Sequence, residues 1–182
     1  MGINFQPLRE TYNELLSDYE FSKKLDLKIY SEDFVKRSVV RSYFALVEGS
    51  LFQLKQVAVQ GNSYYQVLDQ FELGFLQERS VFVAENGVVK TKSSQISLVP
   101  NLLFTANSLI KVFNLNYTLI KGTGYEAFKD AIKIRDKITH PKSKSDITLS
   151  TQEILKIGDA NIWYRDIFTD LINLIDNSGK VT

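Results

Sequence analysis

Cysteine is absent from the chain, and histidine, methionine and tryptophan occur once each. Without thiols there is no disulfide and no thiolate zinc site, a composition that fits a reducing cytoplasmic compartment. A single imidazole cannot form a histidine cluster and no EF-hand loop is present, so no metal and no other cofactor is expected. The formal net charge is only +1, too small for a global field that draws the chain to nucleic acid or an anionic membrane. Any such contact must come from a local patch. No window reaches the roughly 20 apolar residues that a bilayer span needs. Residues 1–30 mix acidic and basic side chains throughout, with no uncharged apolar run of the signal-peptide kind. A soluble, cytoplasmic protein with no membrane partner is the expectation.

What is present is core material and helical rhythm. Hydrophobic residues make up 44% of the 182, aromatics 12%, enough to bury a core without staples. Apolar residues recur at helical spacing nearly everywhere, and strand-like alternation almost nowhere. Within an N-terminal segment 1–30, a first helix is expected over 7–28, with Pro7 in its first turn. A second opens at Ser31, an N-cap followed by Glu32 and Asp33, and stops near Gly61-Asn62. A third covers about 64–85. The loop 86–99 follows, with its Asn-Gly pair marking a small hairpin as an alternative. A fourth helix begins near Pro100. A fifth opens on the capping-box spacing Thr123…Glu126, and the last on Ser150…Glu153, running to about Ile175 before a frayed tail over 176–182. The sum is an all-α, single-domain helical bundle of about five to six helices spanning 1–182.

Residues 126–139 sort cleanly on a helical wheel. Ala127, Phe128, Ala131, Ile132, Ile134 and Ile138 occupy one arc; Glu126, Lys129, Asp130, Lys133, Asp136 and Lys137 occupy the other. Arg135 breaks the rule by falling near the middle of the apolar arc. A guanidinium cannot lose its proton, so one turned inward needs a partner or an opening to solvent. Two readings follow: an ion pair with Glu48, at the edge of the second helix's stripe, or a cleft lined for an anion.

Five residues on comes His140, followed by Pro141, which disfavours α conformation in the residue before it and so ends the helix there. The histidine reads either as a cap on the helix dipole or as an imidazole swung back toward the arginine's side by a loosened last turn. Residues 121–145 hold seven cationic side chains against three acidic ones. Such a run is a solvated face, or a phosphate-binding surface that includes Lys137, Lys142, Lys144 and the hydroxyl of Ser143.

The run RDKITHP, from Arg135 through Asp136 to His140-Pro141, resembles the signature of HEPN domains: arginine, a polar residue, then histidine four to six positions after the arginine, often with proline next. The long helix carrying RSYFALVEGSLFQLKQ is similar to that architecture too. The resemblance implies a HEPN-like helical bundle over essentially the whole chain and, for many members, metal-independent ribonuclease activity in toxin–antitoxin or antiphage systems. By position it places the active residues on Arg135 and His140, with Asp136 in the polar slot. Glu48, read from its place on the second helix, either orients Arg135 or pairs with Lys55 or Arg41. The resemblance implies RNA as substrate, an antitoxin protein as a further partner, and a homodimer with a composite active site.

The chemistry suits these residues. In metal-free cleavage the 2′-hydroxyl attacks the adjacent phosphate; an imidazole can act as base or acid near neutral pH, and an arginine fork can stabilise the phosphorane. One histidine is too few for both proton transfers, so a two-fold interface around residues 123–140 is expected. The rival expectations are a catalytically inactive HEPN-like module that binds RNA or nucleotide, and a structural partner module.

Overall fold

The structure, a computed structural model, describes residues 3–94 and 96–178. The chain falls into two compact units, one built on Leu51–Tyr117 with the chain's two ends (to Phe5, and from Leu171), the other on Gln6–Ser50 and Thr118–Asp170. Six helices and one small sheet are described: α1 (Gln6–Ser22), α2 (Glu32–Tyr65), α3 (Gln70–Leu76), β1 (Arg79–Val83), β2 (Val89–Ser93), α4 (Leu98–Phe113), α5 (Thr123–Thr139) and α6 (Thr151–Asn177). Helix dominates, as the periodicity requires. None of the described helices is long and apolar enough to cross a membrane.

The second unit contains α1, the first part of α2, α5 and most of α6. Its core is aromatic and aliphatic: Tyr43, Val47, Phe128, Ala131 and Tyr164 are almost wholly buried. Phe128 stacks on Tyr164, and Tyr12 of α1 stacks on Phe168 of α6 at a centroid distance of 4.1 Å. The Tyr164 hydroxyl lies 2.7 Å from Ser50 Oγ and donates to the Val47 carbonyl, which satisfies a phenol that burial otherwise holds well above its ordinary pKa. Trp163 donates its indole N–H to the Ile120 carbonyl, so Trp163 and Tyr164 are packing residues. The α2 start fixes the chain between α5 and α6: Lys36 and Arg37 donate to the carbonyls of Leu149 and Ile147.

Several expected boundaries move. α1 stops at Ser22 rather than 28, its last turn closed by Ser22 Oγ donating to the Tyr19 carbonyl. α2 runs through Gly61-Asn62, the expected stop. Gly61 lies so close to α4 that a Cβ there would meet Val112 at 2.6 Å, and the buried Asn62 side chain accepts from the Leu68 N–H at 2.7 Å. Both residues serve tertiary contacts that a turn signal does not announce.

The expected helix over 64–85 is instead a short helix and a strand. Gln66 in the left-handed region ends α2. Asp69 then caps α3 with a full box: its carboxylate accepts from Phe71 and Glu72, and Glu72 accepts from the Asp69 N–H. Glu78, also left-handed, starts β1, whose Val81-Phe82-Val83 suits a pleated ribbon better than a helix. β1 pairs antiparallel with β2, Val83 opposite Val89 and Arg79 opposite Ser93, and Asn86-Gly87 makes the turn with Gly87 at φ 75°. The hairpin alternative for the loop is the form found. The start of α5 also differs: its N-cap is Gly122, without a side-chain cap, and Glu126 pairs with Lys129 instead of closing a box. The box at Ser150…Glu153 does form. Of the expected tail, residues 179–182 lie outside the described residues, and α6 continues to Asn177.

Candidate functional site

α5 stays helical to Thr139, and His140 is its C-cap, at φ −124° and ψ 59°, with its N–H on the Asp136 carbonyl. The break falls where Pro141 imposes it. Phe128, Ala131, Ile134 and Ile138 are buried along the inward arc, and Arg135 interrupts that arc as the wheel requires.

The guanidinium is held on three sides. Its Nη1 donates to Glu48 Oε1 of α2. Its Nε and Nη2 both donate to Asp136 Oδ1, at 3.0 and 2.9 Å. Its plane lies over the Phe44 ring, 4.9 Å from the centroid, so the aromatic face covers the side that would otherwise meet the core. The side chain keeps 25% of its exposure. Of five N–H groups, three are engaged and two are not. Of the two readings of Arg135, the ion pair with Glu48 is present; two carboxylates on one cation leave this cluster with a net negative charge.

The imidazole sits apart from that fork. His140 is exposed, with no hydrogen-bond partner for its ring among the described residues, and lines an open cavity of about 620 Å³ with Lys133, Asp136, Lys137, Lys142 and Asp146. Arg135 does not line it. Asp136 is therefore the link: it holds the guanidinium and faces the cavity that the imidazole faces. The last turn does not bring imidazole and guanidinium together by itself, because α5 remains regular through Thr139.

The other expected phosphate ligands divide. Lys137 donates to Glu153 at 2.7 Å, an ion pair that ties α5 to the α6 cap. Lys142 and Lys144 have exposed side chains, and Lys142 lines the cavity. The Ser143 hydroxyl is turned to Ser145 Oγ at 2.7 Å, so it serves the loop first. Asp146 organises that loop: its carboxylate accepts the backbone N–H groups of Lys142 and Ser143 at 2.8 and 2.9 Å, which holds its pKa below the ordinary value. The Ser143…Asp146 spacing carries that signal in the sequence, as a serine followed three residues later by an acid. The pairing of Lys137 with Glu153 carries none.

Among the described residues no three histidine, aspartate or glutamate side chains are placed to hold a metal ion. α5 exposes no large apolar side chain; in its unit such side chains gather mainly between Phe21 and Phe34, so the apolar material for a two-fold contact lies elsewhere than around 123–140. No protein-family model, no curated protein and no solved structure matches the chain.

Proposed function

We propose that this protein is a HEPN-type, metal-independent endoribonuclease, a toxin or antiphage-defence component in which His140 moves the proton and Arg135 receives the phosphate. The observation that carries the reading is the exposed, unpartnered imidazole in a lysine-lined cavity, next to the carboxylate that orients a guanidinium. The 2′-oxygen of the RNA attacks its adjacent phosphorus while a neutral imidazole takes the hydroxyl proton. The P–O5′ bond then breaks, and the departing oxygen takes a proton from an imidazolium. The products are a 2′,3′-cyclic phosphate and a 5′-hydroxyl. Each chain has one histidine, so base and acid come from two copies. The two unengaged N–H groups of Arg135 face the growing phosphorane charge, and Glu48 and Asp136 fix their direction. Lys142 and Lys144 contribute backbone charge capture. The resemblance places an antitoxin among the partners.

The test is incubation with RNA in EDTA. Cyclic-phosphate ends are expected, with a bell-shaped pH dependence, and with losses of about 10²-fold or more in His140→Ala and Arg135→Ala. Folded variants that cleave as fast as the parent overturn the reading. A second reading, a catalytically silent module that binds RNA or nucleotide, is favoured by the two carboxylates that neutralise Arg135. It predicts salt-sensitive binding that survives His140→Ala, without cleavage at any pH.

A further inference from the structure

We propose that the outer face of α6 from Leu155 to Asp166, with the cavity it shares with the start of α5, docks a basic amphipathic helix of another protein. Leu155, Asp159, Ile162 and Asp166 recur at intervals of four and three residues, so they follow one face of α6 over about 16 Å. Leu155 and Ile162 are 56% and 61% exposed. The cavity, of about 380 Å³, is lined by Asp159, Ile162, Trp163 and Asp166 of α6 and by Thr123 and Gly124 of α5. Its aromatic wall is fixed. Trp163 packs on Tyr125 and Phe128 at 5.4 and 5.3 Å, and α5 comes so close that a Cβ on Gly124 would meet Trp163 Cβ at 2.5 Å.

Charge selects the occupant. Asp159 and Asp166 are exposed, and neither has an ion pair or a side-chain hydrogen bond among the described residues. The cations nearby are engaged elsewhere. Lys156 pairs with Asp130 and Lys129 with Glu126, Arg165 bonds to Tyr12, and Lys121 rests on the Tyr125 ring; none of them lines the cavity. The face therefore presents two uncompensated negative charges beside apolar side chains. It repels an RNA strand or an anionic lipid surface, and a two-fold contact with a second copy would set aspartate against aspartate. A basic segment meets both carboxylates.

Spacing specifies its form. Asp159 and Asp166 are seven residues apart, two turns and about 10 Å along the axis, with Ile162 between them. A helix with lysine or arginine at the same interval and an aliphatic residue between matches charge to charge and apolar to apolar. The cationic heads reach the carboxylates while their stems lie on Ile162 and Trp163, and Leu155 extends the apolar contact by two turns. A small polyamine satisfies the aspartates but leaves Leu155 and Ile162 in water. Gly124 and His140 stand at opposite ends of α5, about 24 Å apart, so this surface is separate from the proposed nuclease site and stands without that reading.

The experiment titrates the intact chain with a synthetic helical peptide that carries two lysines seven residues apart and leucines between and beside them. Binding is read from the anisotropy of the labelled peptide and from the fluorescence of Trp163, the only tryptophan. Saturable micromolar binding with a shift in tryptophan emission is expected. Asp159→Asn and Asp166→Asn should each weaken it about three- to tenfold, with circular dichroism unchanged. Asp166→Lys should lose the lysine peptide and take one with glutamate at the facing position. No binding, equal binding of a glutamate-substituted peptide by the parent, or an affinity unchanged in both asparagine variants would each overturn the proposal. So would spermidine binding as tightly as the peptide, or self-association of the chain that the same variants abolish.

Discussion

Arg135 and Glu48 lie 87 residues apart and are joined Nη1 to Oε1, with the guanidinium resting on Phe44. The pair ties α5 to α2 at the point where the wheel shows a cation among apolar residues. Glu48 is more than half exposed, so Glu48→Gln should change stability by less than about 1 kcal/mol. Its effect on RNA should be larger. Removing one carboxylate leaves the guanidinium freer for phosphate, and the salt slope of binding should steepen by about one. Arg135→Ala should flatten it by the same amount. Equal slopes in parent and both variants, measured by filter binding, would mean that Arg135 serves only the fold.

Asp130 titrates far below the ordinary carboxylate, at about 2, because Lys156 and Lys133 both donate to it. A depressed folded-state pKa contributes stability above the ordinary value and loses it as pH falls toward the folded one. The urea midpoints of the parent and Asp130→Asn should therefore differ at neutral pH and converge as pH drops from about 4 to about 2. A gap that stays constant across that window would show that these lysines do not stabilise the carboxylate.

Lys55 is 1% exposed and has Glu78 as its acidic partner at 2.7 Å, while Glu78 is 43% exposed. The asymmetry predicts unequal costs. Glu78→Ala strands a buried ammonium and should destabilise by about 3 kcal/mol. Lys55→Met keeps the buried stem's volume and leaves a carboxylate that water can reach, so it should cost about 1 kcal/mol. Because the Lys55–Glu78 pair anchors the chain just before β1, protection of the hairpin amides against hydrogen exchange should fall with Glu78→Ala. Equal denaturation midpoints in the two variants would contradict this.

Gly61→Ala places a Cβ 2.6 Å from Val112 Cγ1 and 2.9 Å from Phe113 Cζ. Helix propensity favours alanine by about 1 kcal/mol, but overpacking costs about 1–3 kcal/mol, so net destabilisation is expected. A thermal midpoint above the parent's would show that α2 and α4 can part without cost.

How much of this was legible beforehand depends on the range of the interaction. The end of α5 at His140-Pro141, the Ser31 and Ser150 starts and the Asn86-Gly87 turn were readable, because each depends on backbone geometry within four residues. Arg135 was readable as an exception, because helical spacing alone places it on the apolar arc. The helix expected over 64–85 failed where left-handed Gln66 and Glu78 break it, and non-glycine residues give no local notice of that conformation.

The sequence by itself determined the helical character of the chain, the single imidazole at a helix end and the misplaced cation, since periodicity and caps are written in neighbouring residues. Only the tertiary structure decided that the cation meets Glu48, that Lys137 is shared with Glu153, that Gly61 is a packing contact and that the imidazole faces lysines rather than Arg135. Those outcomes depend on which distant side chains come within about 3 Å, and that distance is set by the packing of whole helices.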